Sequence, residues 1–182
     1  MTMTPAELNS VQQQAVPLFT AGEIDIALDW MAAVVNEKFA DKTPLILCVM
    51  NGGIVVSGHL LTRLTIHVQV DFVHVTRYRG ATTGSDLNWR VEPEQPLRGR
   101  SVILIDDIFD EGNTLSALVA YCRQRGAAEV YTAVLVNKKH DRKVQGMRPD
   151  IFGLEVDDRY VFGFGMDYRE YFRNLAGIYA VS

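Results

Sequence analysis

The sequence predicts an α/β domain with a mostly parallel central sheet flanked by helices. Two observations carry this. Continuous apolar runs at Leu45–Met50 and 102–105 read as strands buried on both faces. Each is followed by a turn containing glycine and then a helix-compatible segment, so that strand, helix and strand recur along the chain. At 182 residues, 48% of them hydrophobic, the chain fits one domain with a core of its own.

The elements follow in order. Residues 20–39 place Ile24, Leu28, Met31, Val35 and Phe39 at three- or four-residue spacing, which predicts an amphipathic helix. Thr20 with Glu23 forms a capping box at its start. After Pro44 comes the strand Leu45–Met50, broken by Asn51, Gly52 and Gly53, and then a helix over 54–64. Residues 67–76 alternate apolar and polar, as a strand does. In 78–98 proline and glycine interrupt every pattern. A stretch that long without structure of its own is expected of a lid or flexible segment. A strand at 102–105, a helix at 114–125 ending at Gly126, and strands at 130–136, 151–156, 160–163 and 178–181 complete the chain. Parallel sheets bind ligands beyond the carboxyl ends of their strands, so the turns after Met50, Ile105 and Val136 are expected on one rim.

A formal net charge of −4 argues against a general nucleic-acid binder, whose affinity comes from clustered Lys and Arg. It leaves room for a small anionic substrate in a local basic pocket. Cys48 and Cys122 lie in apolar stretches and read as small buried residues of a reducing compartment rather than a disulfide. The first residues lack the basic start and apolar run of a secretory signal, and no apolar stretch reaches membrane-spanning length. A cytoplasmic location is expected. The four histidines show no metal-ligand spacing and read as ordinary core or surface residues.

The chemistry concentrates at 102–115. Four apolar residues end in Asp106 and Asp107, and Asp110, Glu111, Gly112, Asn113 and Thr114 then open a helix. A helix start offers unpaired N–H groups and the positive end of the helix dipole, which suits a phosphate. Gly112 allows close backbone approach, and Thr114 adds a hydroxyl. Asp106 and Asp107 can accept hydrogen bonds from vicinal sugar hydroxyls or help hold a hydrated Mg²⁺. Acids at a turn are usually a solvated loop or a cap. This many carboxylates so close together repel one another unless cations or hydroxyls compensate, which favours a binding site.

The segment VILIDDIFDEGNTL resembles the phosphoribosyl pyrophosphate motif of the type I phosphoribosyltransferases. The resemblance implies that fold, with a small hood from the chain ends. It also implies that Asp106 and Asp107 bind ribose, and that Asp110, Glu111, Gly112, Asn113 and Thr114 wrap the 5′-phosphate. Residues 149–175 resemble the end of the hypoxanthine-guanine phosphoribosyltransferases, and the likeness runs from about Leu45 onward. It implies that Tyr160 stacks on a purine, the backbone of Val161 reads the base edge and Lys138 donates to the 6-oxo group. Asp167 would lie near base and metal, and Arg173 would help hold pyrophosphate. Asn51 and Gly52 fall in the pyrophosphate loop, where the family often has lysine in place of Asn51, and a cis peptide is expected at Met50–Asn51. Arg77 and Tyr78 begin the family's mobile active-site loop, about 78–98, and about 149–182 forms the purine-binding hood with the C-terminal strands. Asp110 is the family's candidate general base, expected to have its pKa raised by neighbouring anions. Mg²⁺ is the implied cofactor, with Asp106, Asp107 and Asp167 as its ligands.

The implied reaction transfers the 5-phosphoribosyl group from phosphoribosyl pyrophosphate to N9 of hypoxanthine or guanine. The implied enzyme is a homo-oligomer, dimer or tetramer, without nucleic-acid or membrane partners. An alternative reading is a nucleotide-sensing regulator on the same fold that binds RNA or a partner protein. The acidic balance and the purine-type C-terminal stretch weigh against it.

Overall fold

A computed structural model of the chain describes residues 2–77 and 87–181, with the backbone alone at Arg77 and Leu87. Its elements are α1 (Pro5–Gln14), β1 (Val16–Phe19), α2 (Ala21–Lys38), β2 (Leu45–Met50), α3 (Gly53–Leu61), β3 (Gln69–Arg77), β4 (Leu87–Val91), β5 (Ser101–Phe109), α4 (Asn113–Gln124), β6 (Glu129–Lys139), β7 (Ile151–Asp157), β8 (Val161–Phe162) and β9 (Ile178–Ala180). Six strands form the main sheet in the order β4-β3-β2-β5-β6-β7. All its pairings are parallel except β3 with β4. A separate three-stranded antiparallel sheet, β1-β9-β8, joins the two ends of the chain into the expected hood.

The apolar spacing of α2 has its physical counterpart in the core. Ile24, Leu28, Met31, Val35 and Phe39 are all buried against one face of the sheet, together with α3. Each large side chain withdrawn from water there contributes about 1.5–3 kcal/mol. Thr20 accepts from the Glu23 N–H while the Glu23 carboxylate accepts from the Thr20 N–H, so the capping box is formed. The other face of the sheet is covered by α4 through Leu115, Leu118, Val119 and Cys122. Cys48 and Cys122 are both free and buried.

Strand β1 was not anticipated from sequence, and three further elements depart from that reading. Helix α1 buries no residue, so no apolar stripe announces it; its signal is a second capping box, Thr4 with Glu7, and Pro5 in the first turn. Strand β4 lies inside the segment expected to lack structure, pairing with β3 from Val91↔His74 to Leu87↔Arg77. Of the remainder, 78–86 lie outside the described residues, while 92–98 are anchored, with the Glu94 and Gln95 N–H groups donating to Asp71 and Leu97 buried. Strand β5 runs on to Phe109 instead of stopping at Ile105, because β6 continues to pair with it through Phe109↔Asn137 after β2 has left at Cys48↔Ile105. Asp106 and Asp107 therefore sit within a strand, held by ladder bonds. Among the described residues, no helix is long and apolar enough to cross a membrane.

At the end of the sheet away from these acids, Glu129 accepts from Lys42, Ser101 and Tyr131. The bonds from Lys42 and Ser101 hold its carboxyl down to about 2, against an ordinary 4.5. The folded value lies below the unfolded one, so this group's stabilisation is present above about pH 4.5 and is lost as pH falls toward 2. Thermal unfolding of Glu129→Gln should show a lower Tm than the parent at pH 6 and no difference near pH 2; an equal gap at both would contradict the linkage.

Candidate active site

Three backbone segments meet at the carboxyl end of β5 at distances that exclude side chains. A Cβ added at Gly53 would lie 2.6 Å from the Ile105 carbonyl oxygen, and one at Gly52 would lie 2.0 Å from an Asp107 carboxylate oxygen. One at Gly165, whose φ is +101°, would lie 2.4 Å from the Gly52 carbonyl oxygen. The turn after β2, the end of β5 and the hood turn at 163–166 are thereby locked together. The Met50–Asn51 peptide at this junction is cis, as expected. The turns after β2, β5 and β6 do share one rim, because these strands are adjacent and parallel.

On this rim Asp106, Asp107, Asp110, Glu111, Gly112, Asn113 and Thr114 line a cavity of about 360 Å³. Gly112 caps α4 with φ +83°, and a Cβ there would strike the Phe109 ring at 2.5 Å. The start of α4 has no side-chain cap, so its first N–H groups face the cavity mouth without one. Asn113 donates to Glu111 at 2.7 Å. Burial, followed by the charge of Asp107, pushes the Asp106 carboxyl well above the ordinary range. Burial also pushes Asp107 up, while the nearby Arg173 charge opposes both shifts. Such crowded acids are poised to accept a cation or hydroxyl donors.

A second, smaller cavity of about 170 Å³ shares Asp107, Ile108 and Asp110 with the first and is otherwise lined by Lys138, Tyr160, Val161, Met166 and Asp167. Tyr160 is 53% exposed, which rules out a core role; its hydroxyl donates to the Asp167 carbonyl at 3.2 Å. Val161 is buried in β8, paired with Ala180. Lys138 is buried and enters this cavity, whereas Lys139 points away to Asp157 at 3.1 Å. Arg173 spans the hood, donating to the Gly165 carbonyl and the Asp167 carboxylate, each at 2.7 Å.

Asp110 stands between the cavities with both oxygens engaged. Lys138 Nζ lies 2.8 Å from Oδ2, and His140 Nε2 lies 2.6 Å from Oδ1. Burial alone would push the Asp110 carboxyl up, but hydrogen bonds from Lys138 and His140, with the charge of Lys138, outweigh it and hold the group below its ordinary value. This corrects the expectation of a raised pKa: in the free protein its neighbours are donors, not anions. His140 was read as an ordinary residue from sequence, yet its side chain is only 4% exposed and it faces the site. A usable signal existed, since residues two apart at a strand end share a side, and Lys138 and His140 are two apart.

The structure does not bring every candidate together. Asp167 is bonded by Arg173 and by the Glu170 N–H rather than joined to Asp106 and Asp107. Among the described residues, no group of three acidic, histidine or cysteine side chains is arranged to hold a metal ion, so the three-aspartate ligand set does not form by itself. Asn51 is exposed at the turn beside Gly52. Tyr78 and the Arg77 side chain lie outside the described residues.

The model of the phosphoribosyl transferase domain family matches residues 18–170. A hypoxanthine-guanine phosphoribosyltransferase of Streptococcus pneumoniae is 31% identical over 159 residues, 87% of this chain and 88% of that protein. The chain belongs to that family. A second phosphoribosyltransferase of the same name, from Bacillus subtilis, is likewise 31% identical over 87% of this chain and 88% of its own length. The match reaches well upstream of Leu45, where the resemblance in sequence was expected to begin. Among solved structures, a hypoxanthine phosphoribosyltransferase of Staphylococcus aureus superposes with a TM-score of 0.88 over 100% of this chain and 97% of its own, at 23% identity. That likeness shows the type I phosphoribosyltransferase fold.

The glycine junction makes a direct test of this packing. Gly165→Ala combines an unfavourable φ with a backbone clash and should lower unfolding stability by at least about 1–3 kcal/mol in denaturant titration. Gly58→Ala, in α3 with nothing within 4 Å of the new Cβ, should instead raise it by about 0.5–1 kcal/mol.

Proposed function

We propose that this phosphoribosyltransferase is a purine salvage enzyme, transferring the 5-phosphoribosyl group from phosphoribosyl pyrophosphate to N9 of hypoxanthine or guanine to give IMP or GMP and pyrophosphate. The observation that carries the reading is the pair of cavities that share Asp107 and Asp110. One is lined by a helix-start loop suited to a sugar phosphate. The other is lined by a lysine, an exposed tyrosine and the hood, as a planar base with an oxo group requires. The names of the relatives point the same way.

In this reading, the N–H groups of 110–114 and the Thr114 hydroxyl take the 5′-phosphate. Asp106 and Asp107 accept from the ribose hydroxyls. Tyr160 stacks on the purine, the Val161 backbone reads its edge and Lys138 donates to the 6-oxo group. As the ribose C1 bond to pyrophosphate lengthens, Arg173 lends positive charge on the leaving-group side, where its field already reaches Asp106 and Asp107. Asp110 takes the ring proton as N9 attacks. Asn51, Gly52 and, from the 77–78 segment, Arg77 and Tyr78 complete the pyrophosphate side.

Mg²⁺ fits Asp106 and Asp107, since one or two carboxylates with substrate oxygens are its usual ligands, and it would neutralise charge on the pyrophosphate. The enzyme works in the cytoplasm, in keeping with two unpaired buried cysteines. It works as a homo-oligomer, dimer or tetramer. Val70 and Phe72, about half exposed and alternating onto one face of β3, give an apolar surface for self-association.

The test is formation of nucleotide by the purified protein from hypoxanthine, guanine and xanthine, with phosphoribosyl pyrophosphate and Mg²⁺, using adenine and uracil as controls. Product is expected from hypoxanthine or guanine; its absence from both would overturn the assignment. Asp110→Asn should lower kcat by about 10²–10⁴-fold with the circular dichroism spectrum unchanged. Full activity would remove Asp110 from the base role.

A further inference from the structure

We propose that His140 is a positioning residue for Asp110, whose Nε2–H fixes one carboxylate oxygen so that the other is correctly aimed when Lys138 turns to the base. This deepens the purine-transfer reading and rests on it for the movement of Lys138. The hydrogen bonds define the imidazole. The backbone N–H of Arg142 donates to His140 Nδ1 at 3.1 Å, so that nitrogen carries a lone pair. The ring proton therefore sits on Nε2, which donates to Asp110 Oδ1 at 2.6 Å. Lys138 donates to the other oxygen, Oδ2, at 2.8 Å. The free enzyme thus holds its base with one donor on each oxygen.

The two donors have different fates on binding. Lys138 lines the base cavity, where a purine oxo group competes for its ammonium. His140 is not among the residues lining that cavity, and its ring is fixed from behind. Arg142, which supplies the N–H to Nδ1, is itself gripped by Asp158 through two bonds of 2.7 and 2.9 Å. The same loop is tied to the phosphate loop, with the Val144 N–H donating to the Glu111 carbonyl at 2.8 Å. Arrival of the base thus strips the donor from Oδ2 and makes that oxygen more basic at the moment a ring proton must be taken. The bond at Oδ1 prevents the carboxylate from rotating.

The charged groups around this pair are Lys138 on β6, Glu111 on the loop of Asp110 itself, Arg142 and Lys143 after β6, and Asp158 after β7. The cations Arg142 and Lys143 both act on Asp110 from the His140 loop, so a substitution at His140 changes the hydrogen bond while leaving that field in place.

His140→Phe keeps the ring volume and removes the donor, whereas His140→Gln restores an N–H near the position of Nε2. In the protein alone, carbon-13 NMR of the Asp110 carboxyl should show a midpoint shifted upward in His140→Phe and returned toward the parent in His140→Gln. Equal midpoints in all three would overturn the proposal. In turnover, His140→Phe should lower kcat about tenfold with KM for phosphoribosyl pyrophosphate little changed, and its acid limb should move to higher pH. His140→Gln should recover most of kcat; failure to recover, or an effect on KM alone, would mean that the ring only fills space. A third readout needs no variant: nitrogen-15 spectra of the parent should show the His140 proton on Nε2, and a proton confined to Nδ1 would overturn the assignment. If the parent itself forms no nucleotide, the purine-transfer reading fails, while the two NMR measurements still decide whether His140 clamps Asp110.

Discussion

The structure depends on one close approach, of the turn after β2 and the hood turn at 163–166 to the stretch of β5 around Ile105 and Asp107. Gly52, Gly53 and Gly165 let these backbones come closer than any Cβ would permit, with the Asp107 carboxylate beneath them. A main sheet and a small hood would otherwise be two bodies with a hinge between them. Here the hood's register against the sheet is set by backbone, so the smaller cavity it helps to line is placed relative to the larger one before any ligand arrives. Such preorganisation is what a reaction between two bound substrates requires.

The site also runs against the preferences of its own residues. Asp106 and Asp107 lie in a strand that continues past its neighbour, where ladder bonds hold them in surroundings that favour the uncharged form. A fold selected for stability alone would place apolar side chains there. Asp110, a few residues further on, is treated in the opposite way, with donors on both oxygens that favour its charge. Two acids that burial pushes toward the uncharged form, and a third that donors hold charged just beyond the same strand, give this stretch two electrostatic tasks.

Much of this was legible in the sequence where local pattern and tertiary environment agree. The apolar stripe of α2, the uniform run of β2 and the acid-glycine-threonine start of α4 each carry their own explanation. The reading failed where a role depends on a neighbour distant along the chain. Helix α1 buries nothing, so only its capping box could reveal it. Strand β4 exists because β3 offers it an edge, which its own breaker-rich surroundings hide. The end of β5 was missed because pairing with β6, not composition, decides where a strand stops. His140 falls outside any ligand spacing, and its partner lies 30 residues away. Asp167, expected near base and metal from the family resemblance, lines the smaller cavity with Asp107, and the pairing that holds its carboxylate there, with Arg173, was not read from sequence.

The hood carries a consequence for synthesis. Its central strand is β9, at Ile178–Ala180, flanked by β1 from near the start of the chain and by the two-residue β8. Strands that short do not hold together as an isolated pair. As the polypeptide emerges from a ribosome, the sheet from β2 to β7 can assemble with the cavity at the start of α4 while β1 waits for β9. The larger cavity can thus form well before the smaller one has its hood wall, and β1 gains its partner only when β9 arrives.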